Sequence, residues 1–223
     1  MYTNGNFEAH IAALCFLGTL GLTILLVVAT VVLFFKRPAW AKYSLLAVVV
    51  LLGGYAAVLA FFSFASYDRI VARGDEKFYC GVDCHIAYSV QAVGRTKAIG
   101  DTTATGEFYV ITVRSHFDER TIAPWRGDRP LRPDPPTLTI VDGAGHSYPV
   151  SGAGQKAWDA IHGEQHSLSD GLRPGESYET TWVFDVPTNA ASVRLFAGWN
   201  GFPSYVLIGD EASPHHAKTY FAL

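Results

Sequence analysis

The pattern of hydrophobic and polar positions divides the chain into two parts that suit different solvents. Ile11–Phe35 is a run of 25 residues without a charge, and a second uncharged run covers Tyr43–Tyr67. At about 1.5 Å per residue, each run spans roughly 37 Å as a helix, enough for a tilted crossing of a hydrocarbon core of about 30 Å. The pattern predicts a transmembrane hairpin of two antiparallel helices, joined by a tight turn at 36–42.

After Tyr67 the pattern changes to short β-like runs separated by turn residues. The predicted strands are His85–Val93, Phe108–Phe117, Thr137–Asp142, His146–Val150, Tyr178–Val186, Ser192–Ala197, Tyr205–Ile208 and Thr219–Leu223. Only Gln155–His162 has a helical pattern. Strands of this length and number favour an all-β domain, an antiparallel immunoglobulin-like β-sandwich.

Four segments follow from these patterns, and the charges orient them. We predict an N-terminal tail at 1–10, the transmembrane helical hairpin at 11–67, a charged connector at 68–79 and the β-sandwich at 80–223. The turn carries Lys36, Arg37 and Lys42, whereas the tail contains Glu8 and neither lysine nor arginine. Positive loops stay in the cytoplasm, so both termini and the β domain are expected in the periplasm, on a bacterial cytoplasmic (inner) membrane. No signal-peptide cleavage pattern is evident, so the first helix is expected to remain.

The charge balance of the part after the helices excludes some partners. Of the 17 lysines and arginines, three lie in the turn, and of the 20 acidic residues one lies in the tail, which leaves 14 against 19. Five net negative charges argue against nucleic acid as a partner. The expected partners are the lipid bilayer and other membrane-protein subunits.

The two helices themselves look like an anchor or a packing surface. Neither contains an ionisable residue near its centre, which argues against an ion or proton path. Gly53 and Ala57, like Ala56 and Ala60, are small residues four positions apart, a spacing that lets a neighbouring backbone approach closely. The alternative is that glycine and alanine are simply common in membrane helices.

Two of the three cysteines, Cys80 and Cys84, stand at the start of the β domain, with His85 directly after them. A disulfide closing a small loop is the favoured interpretation, and it fits an oxidising compartment. The pair and His85 could instead bind copper or zinc, and Cys-x-x-x-Cys-His is one residue longer than the usual covalent haem motif. We expect no cofactor, with copper or covalent haem as alternatives.

A long loop rich in Arg, Asp and Pro follows Phe117 and ends at Pro136. Loops of this length are usually functional or held by a partner. Its candidate partner-contact residues are Arg120, Trp125, Arg126, Asp128, Arg129 and Arg132. The alternative is that these charges pair among themselves and fix the loop to its own sheet.

One segment carries a resemblance to a family. Leu172-Arg173-Pro174-Gly175-Glu176-Ser177-Tyr178, running into Trp182-Val183-Phe184-Asp185-Val186-Pro187, makes a turn followed by a strand that ends at proline. It resembles the late-strand signature of immunoglobulin-like domains, mostly of unknown function, in bacterial lipoproteins and membrane-anchored exported proteins. The resemblance covers roughly Cys80–Phe221. It implies a fold and an exported location, and it supplies no catalytic residues.

A second resemblance is architectural only. A two-helix hairpin followed by an exported β domain looks like subunit II of haem-copper oxidases, whose copper site also uses two cysteines three residues apart. In that family the pair comes late in the domain, followed by a histidine and a methionine. Here the pair comes early, Tyr88 stands at the histidine position, and Met1 is the only methionine.

No pattern for hydrolytic chemistry is present: there is no HExxH motif and no nucleophile elbow. Asp210-Glu211 and His215-His216 are interpreted as a solvated turn. The hypothesis is therefore a non-catalytic accessory or structural subunit of a larger bacterial membrane complex, with an energy-transducing (respiratory or photosynthetic) host suggested by analogy. The alternative is a periplasm-facing copper-binding or electron-transfer protein that uses Cys80, Cys84 and His85.

Overall fold

Two long helices form a hairpin near the start of the chain. The structure is a computed structural model that describes residues 2–80, 84–123, 125–199 and 201–223. Helix α1 covers Ala9–Lys36 and α2 covers Pro38–Phe64, so that Arg37 alone separates them. Pro38 is tolerated because the first amides of a helix have no partner within that helix. The predicted basic turn is thus mostly helical, since lysine and arginine are themselves good helix formers.

The hairpin buries little of its apolar surface. Both helices are long and apolar enough to cross a membrane, yet only 6% of an apolar 18-residue stretch in each helix is buried. The buried residues of α2, Ala41, Val48 and Ser63, lie along one side of the helix. Ser44 Oγ donates to the Leu26 carbonyl of α1 at 3.1 Å. Two helices that expose this much hydrocarbon suit a lipid environment better than water.

The rest of the described chain is mostly β structure. Its strands are β1 (Tyr2–Thr3), β2 (Arg69–Val71), β3 (Lys77–Tyr79), β4 (Ile86–Ile99), β5 (Thr102–Phe117), β6 (Thr137–Val141), β7 (Ser147–Pro149), β8 (Ser177–Val186), β9 (Arg194–Gly198) and β10 (Thr219–Ala222). Helix α3 covers Gly152–His162, and short 3-10 turns lie at Glu119–Thr121 and Ser204–Val206. Seven of the eight predicted strands and the predicted short helix are therefore confirmed, with shifted ends.

The strands form two sheets that pack face to face. Within the described residues, the sheet orders are β1-β3-β4-β5-β8 and β2-β10-β9-β6-β7. One core joins them: Ile111 and Phe184 of the first sheet pack in the same cluster as Ile140, Leu195 and Phe221 of the second. Helix α3 covers the outer face of the first sheet through Phe108 and Val183. A β-sandwich arrangement is confirmed.

The prediction of purely antiparallel sheets is wrong, because each sheet contains one parallel pair. β1 runs parallel to β3, and β10 runs parallel to β2. In the first pair the partners are separated by the whole hairpin, and in the second by nearly the whole β domain. No short turn forces either pair to reverse direction.

The predicted tail and connector both contribute strands. β1 lies within 1–10, and β2 and β3 lie within 68–79. These strands are too short to show a period-2 pattern in sequence, and they are held by pairing with distant residues. The β domain therefore includes residues before the hairpin as well as residues after it, and each helix is joined to the domain by a short segment.

The predicted strand Tyr205–Ile208 is wrong. Its first two residues belong to the 3-10 turn Ser204–Val206. The apolar run faces the hairpin rather than a sheet: Tyr55 Oη of α2 donates to the Val206 carbonyl at 2.6 Å. Apolar residues there reflect contact with helices, which a sequence pattern of four residues cannot distinguish from a buried strand.

Candidate functional site

The predicted disulfide is present between Cys80 and Cys84, whose Cα atoms are 4.2 Å apart. Cys80 is buried and packs against Phe78 and Ala87, with Cys84 beside them. The turn expected at Gly81 lies outside the described residues. Because the two sulfurs are bonded to each other, neither is available here as a thiolate ligand or for a thioether bond to haem.

His85 contacts the end of β5 and the 3-10 turn that follows it. Its Nδ1 is 2.8 Å from Thr121 Oγ1, and its ring stacks on Phe117. Among the other histidines, His116 lies in β5 with its Nδ1 2.6 Å from Glu76 Oε1, and His216 is buried with its Nε2 3.1 Å from Asn6 Oδ1. Across the described ranges, no group of three or more His, Cys, Asp and Glu side chains is arranged to hold a metal ion. The structure thus does not bring the residues of the predicted alternative metal site together.

Asn4, which sequence analysis did not single out, clamps the disulfide to a distant loop. Its Oδ1 accepts the Cys80 amide at 2.9 Å, and its Nδ2 donates to the Cys80 carbonyl at 3.3 Å and to Asp210 Oδ2 at 3.0 Å. The Glu211 amide donates to the Asn4 carbonyl at 2.8 Å. One buried amide side chain therefore connects the residues before α1, the disulfide and the 207–211 loop.

A buried ion pair lies next to this clamp and joins the two sheets. Lys77 of β3 is fully buried, and its Nζ donates to Glu211 Oε1 at 2.7 Å, to the Thr219 carbonyl at 3.0 Å and to the Ala197 carbonyl at 3.1 Å. Glu211 Oε2 accepts the Thr219 amide at 3.1 Å. All three ammonium hydrogens have acceptors, which is what a buried charge requires. The prediction of a solvated turn at Asp210-Glu211 and His215-His216 is wrong for Glu211, which is buried against Lys77 of the first sheet, and for His216, which is also buried.

A cavity of about 170 Å³ opens beside the clamp. It is lined by the disulfide, by the first turns of α1 including Ala12, and by the loop that carries Leu207 and Asp210. Burial raises the pKa of Asp210 to about 7, against the lowering effect of the Ala212 amide, which donates to it at 2.7 Å. The cavity therefore contains a carboxyl group that changes charge near neutral pH.

This pKa predicts a pH-dependent stability. Between about pH 4 and pH 7 the folded chain keeps the Asp210 proton while the unfolded chain has lost it, so the contribution of this group to stability decreases as pH rises through that window. Asn at this position does not titrate. The thermal midpoint of Asp210→Asn minus that of the wild type should therefore increase by several degrees between pH 5 and pH 8 in detergent micelles. The control is Asp101→Asn, at the exposed tip of the β4–β5 hairpin. If the difference in thermal midpoint between Asp210→Asn and the wild type changes with pH no more than it does for the control, the prediction is contradicted.

Two arginines of the predicted partner-contact loop are held by their own domain. Arg120 donates to Asp118 through Nε at 2.9 Å and Nη2 at 2.8 Å. Arg126 Nη1 donates to the Arg129 carbonyl at 2.6 Å, and its guanidinium lies 4.8 Å from the centre of the Phe117 ring. These contacts support the alternative in which the loop is fixed to its own sheet.

The other members of that loop are more open. Asp128 Oδ2 lies 3.7 Å from Arg173 Nη1, and both side chains are largely exposed. Arg132 lines a second cavity of about 190 Å³, together with Tyr88 and Trp199. Trp125 is 87% exposed. The structure therefore leaves one large aromatic side chain at the loop's surface, on a segment that its neighbours hold in place.

Gly53 and Ala57, two members of the predicted small-residue stripe of α2, lie on a different face of the helix from the buried Ala41, Val48 and Ser63. Gly53, Ala56 and Ala57 are exposed, and Ala60 is half-buried. A side-chain carbon placed on Gly53 would meet no atom within 4 Å. The face that carries Gly53 and Ala57 is therefore open, whereas Ala56, two turns before Ser63, lies on the buried side of α2.

Comparison with known proteins finds only distant structural similarity. No family model and no curated protein matches the chain. A secreted protein from Mycobacterium tuberculosis, MPT63, is 15% identical over 62% of this chain and 94% of its own, with a TM-score of 0.41. The yjhA protein from Bacillus subtilis is 13% identical over 68% of this chain and 99% of its own, with a TM-score of 0.40. A conserved hypothetical protein from Bacillus anthracis has a TM-score of 0.38 at 16% identity, over 50% of this chain and 80% of its own. Similarities at this level carry no argument about function.

Proposed function

We propose that this protein is a membrane-anchored, non-catalytic accessory subunit of a larger bacterial membrane complex, with an immunoglobulin-like β domain that docks on the periplasmic side. The observation that carries the proposal is the open small-residue stripe of α2, defined by Gly53 and Ala57. Its occupant is a transmembrane helix of another subunit.

The two faces of α2 support this assignment. A buried stripe of α2 contains Ala41, Val48 and Ser63. At 100° per residue, Gly53 and Ala57 lie more than a quarter turn away from that stripe. Association of membrane helices depends on close backbone approach at small residues, because lipid tails are as apolar as any side chain and provide no hydrophobic driving force. A free glycine and alanine face is thus suited to a second helix.

Hydrogen bonds between the β domain and α2 would let the anchor also fix the position of the domain. Asn6 Nδ2 donates to the Phe62 carbonyl at 3.0 Å, the Ala217 amide donates to Ser66 Oγ at 2.7 Å, and Tyr55 bonds the Val206 carbonyl. The β domain is therefore hydrogen-bonded to the outer end of α2, at Phe62 and just after it at Ser66, and also to Tyr55 further along the helix. A partner that binds α2 would hold the domain at a fixed height and orientation above the membrane.

The compartment and host belong to the same proposal. The disulfide favours an oxidising compartment, and the basic turn favours a cytoplasmic position for the opposite end of the hairpin. We place both termini in the periplasm of a bacterium, with Trp125 and its loop as the periplasmic contact. A respiratory or photosynthetic complex as host rests on the architectural analogy alone.

Blocking the stripe should release the partner. Gly53→Leu together with Ala57→Leu is expected to reduce co-purification of partner subunits from native membranes several-fold, because leucine side chains prevent close helix approach. The protein is extracted in mild detergent and its partners are quantified by mass spectrometry. The β domain should stay folded, as judged by an unchanged Cys80–Cys84 bond and protease resistance.

The matched control is Ala47→Leu, which enlarges an exposed alanine of α2 outside the stripe. It should leave the partners bound. Equal loss in both variants would indicate a general effect on insertion. A monodisperse protein that captures no partner even as wild type would overturn the accessory-subunit proposal.

A further inference from the structure

We infer that the loop 201–208, here called the aromatic loop, is a second membrane-contacting element that inserts into the outer leaflet of the bilayer beside the hairpin. Its partner is lipid. The inference rests on the proposed anchoring of the hairpin and extends it to a loop of the β domain whose second half, Tyr205–Ile208, was predicted from sequence to be a strand.

Two contacts determine the height of the aromatic loop along the helices. Tyr55 Oη of α2 donates to the Val206 carbonyl at 2.6 Å. The Phe202 ring contacts the Phe16 ring of α1 edge to face, with centroids 5.9 Å apart. The loop therefore lies alongside both helices, well below their outer ends at Ala9 and Phe64.

The rise per residue of the helices gives the distance of these contacts from the basic turn. Tyr55 comes 17 residues after Pro38, and Phe16 comes 20 residues before Lys36. At about 1.5 Å per residue, the loop lies roughly 25–30 Å from the basic turn, which is about the thickness of a hydrocarbon core. The outer boundary of the core is therefore at the level of the loop or above it.

Apolar surface continues beyond that level. Leu14 of α1 is 70% exposed, and Phe61 and Phe64 of α2 are 66% and 74% exposed. These side chains lie closer to the outer helix ends than the aromatic loop does. Since they too need a nonpolar environment, lipid is expected to reach past the loop rather than to stop below it.

The side chains of the aromatic loop suit this position. No charged residue occurs between Arg194 and Asp210. Phe202 is 74% exposed, and Tyr205 is 43% exposed. Aromatic side chains are enriched at the membrane interface, where a nonpolar ring can meet lipid tails while a polar tip meets headgroups.

Several backbone groups of the aromatic loop already have hydrogen-bond partners within the protein, which is the main requirement for entering lipid. The Ser204 amide donates to the Gly201 carbonyl at 3.0 Å, and the Val206 amide donates to the Pro203 carbonyl at 2.9 Å. Ser213 Oγ donates to the Leu207 carbonyl at 2.7 Å. Together with the Tyr55 bond, these contacts replace hydrogen bonds that water would supply to an ordinary surface loop.

A depth measurement tests the inference on the full chain. In a Cys15→Ser background, a nitroxide label is placed at Phe202→Cys, and the protein is reconstituted in nanodiscs of phosphatidylethanolamine and phosphatidylglycerol. Collision rates with oxygen, which concentrates in lipid, and with a water-soluble nickel chelate are then compared. The oxygen-to-nickel ratio at position 202 should be several-fold higher than at Ile161→Cys, a label on α3 where the native side chain is 58% exposed.

A third label separates this inference from the proposed anchoring. Leu25 lies in the middle of α1 and is 67% exposed, so Leu25→Cys should give the highest oxygen-to-nickel ratio. If position 25 behaves like lipid and position 202 like Ile161, the aromatic loop lies in water and the inference is wrong while the anchor stands. If position 202 is shielded from both reagents, a second copy of the chain covers the loop, which also overturns lipid as its partner. A water-like ratio at position 25 would overturn the anchor itself.

Discussion

Replacing Lys77 with methionine is expected to lower the thermal midpoint of unfolding by roughly 6–20 °C. The substitution keeps the side-chain length but removes the ammonium group that Glu211, Thr219 and Ala197 all bind. Breaking a buried ion pair by removing one partner costs about 3–5 kcal/mol, since the other charge stays buried without compensation. For a protein of this size each kcal/mol corresponds to about 2–4 °C. The measurement is thermal unfolding of the full chain in detergent micelles.

Two further variants make this prediction specific to the ion pair. Lys77→Met combined with Glu211→Gln should be more stable than Lys77→Met alone, because glutamine removes the uncompensated charge and keeps an acceptor for the Thr219 amide. Lys97→Met removes an exposed lysine of β4 whose Nζ donates to the Gly106 carbonyl at 2.8 Å, and it should change the midpoint by only a degree or two. If the double variant is as unstable as the sum of its single variants, the pair is not coupled.

Replacing Gly209 with alanine is expected to detach the residues before α1 from the β domain. Gly209 has φ +74°, and a side-chain carbon there would lie 2.5 Å from Phe7 Cβ and 2.7 Å from Asn6 Oδ1. The Asn6 amide donates to the Gly209 carbonyl at 2.9 Å, so relief of the clash breaks this contact. Hydrogen exchange of the amides of Asn6 and Glu211 should accelerate at least about tenfold, which corresponds to about 1.4 kcal/mol of lost local protection.

Gly74→Ala is the matched control for this effect. Gly74 also has positive φ, at +85°, but a side-chain carbon there would meet nothing within 4 Å. Both substitutions share a conformational cost of about 1–2 kcal/mol. Only Gly209→Ala should add faster exchange in residues 2–8 and 207–213. Similar exchange in the two variants would mean that the contact with Phe7 and Asn6 does not hold this segment.

Much of the fold could be predicted because its signals are local. The uncharged runs of the hairpin and seven of the eight predicted strands rest on the spacing of apolar residues within single segments. The strands that were missed, β1, β2 and β3, are two or three residues long and exist only through pairing. The long extensions of β4 and β5 toward Gly100 were missed for a related reason: several of their side chains are exposed, so the alternation that marks a half-buried strand is weak.

The candidate site was predictable only in part. Cys80 and Cys84 could be paired from their spacing in the sequence, and the small residues at Gly53 and Ala57 could be picked out because they lie four positions apart. Asn4, Lys77 and Glu211 gave no signal, since an asparagine near a terminus, a lysine among charged neighbours and a glutamate in a loop are ordinary surface residues in sequence. Their importance arises from partners as far apart as 4 and 210, or 77 and 211.

The sequence by itself determined which part of this protein is two long apolar helices and which part is polar and strand-rich, because apolar length and charge placement act within short stretches of chain. It also determined the cysteine pair. Only the tertiary structure decided how the parts join. The strands on either side of the hairpin, the Asn4 clamp, the buried Lys77–Glu211 pair and the aromatic loop all depend on contacts between residues far apart in the chain. Their free energy comes from burial and hydrogen bonds that exist only once the two sheets and the two helices have come together.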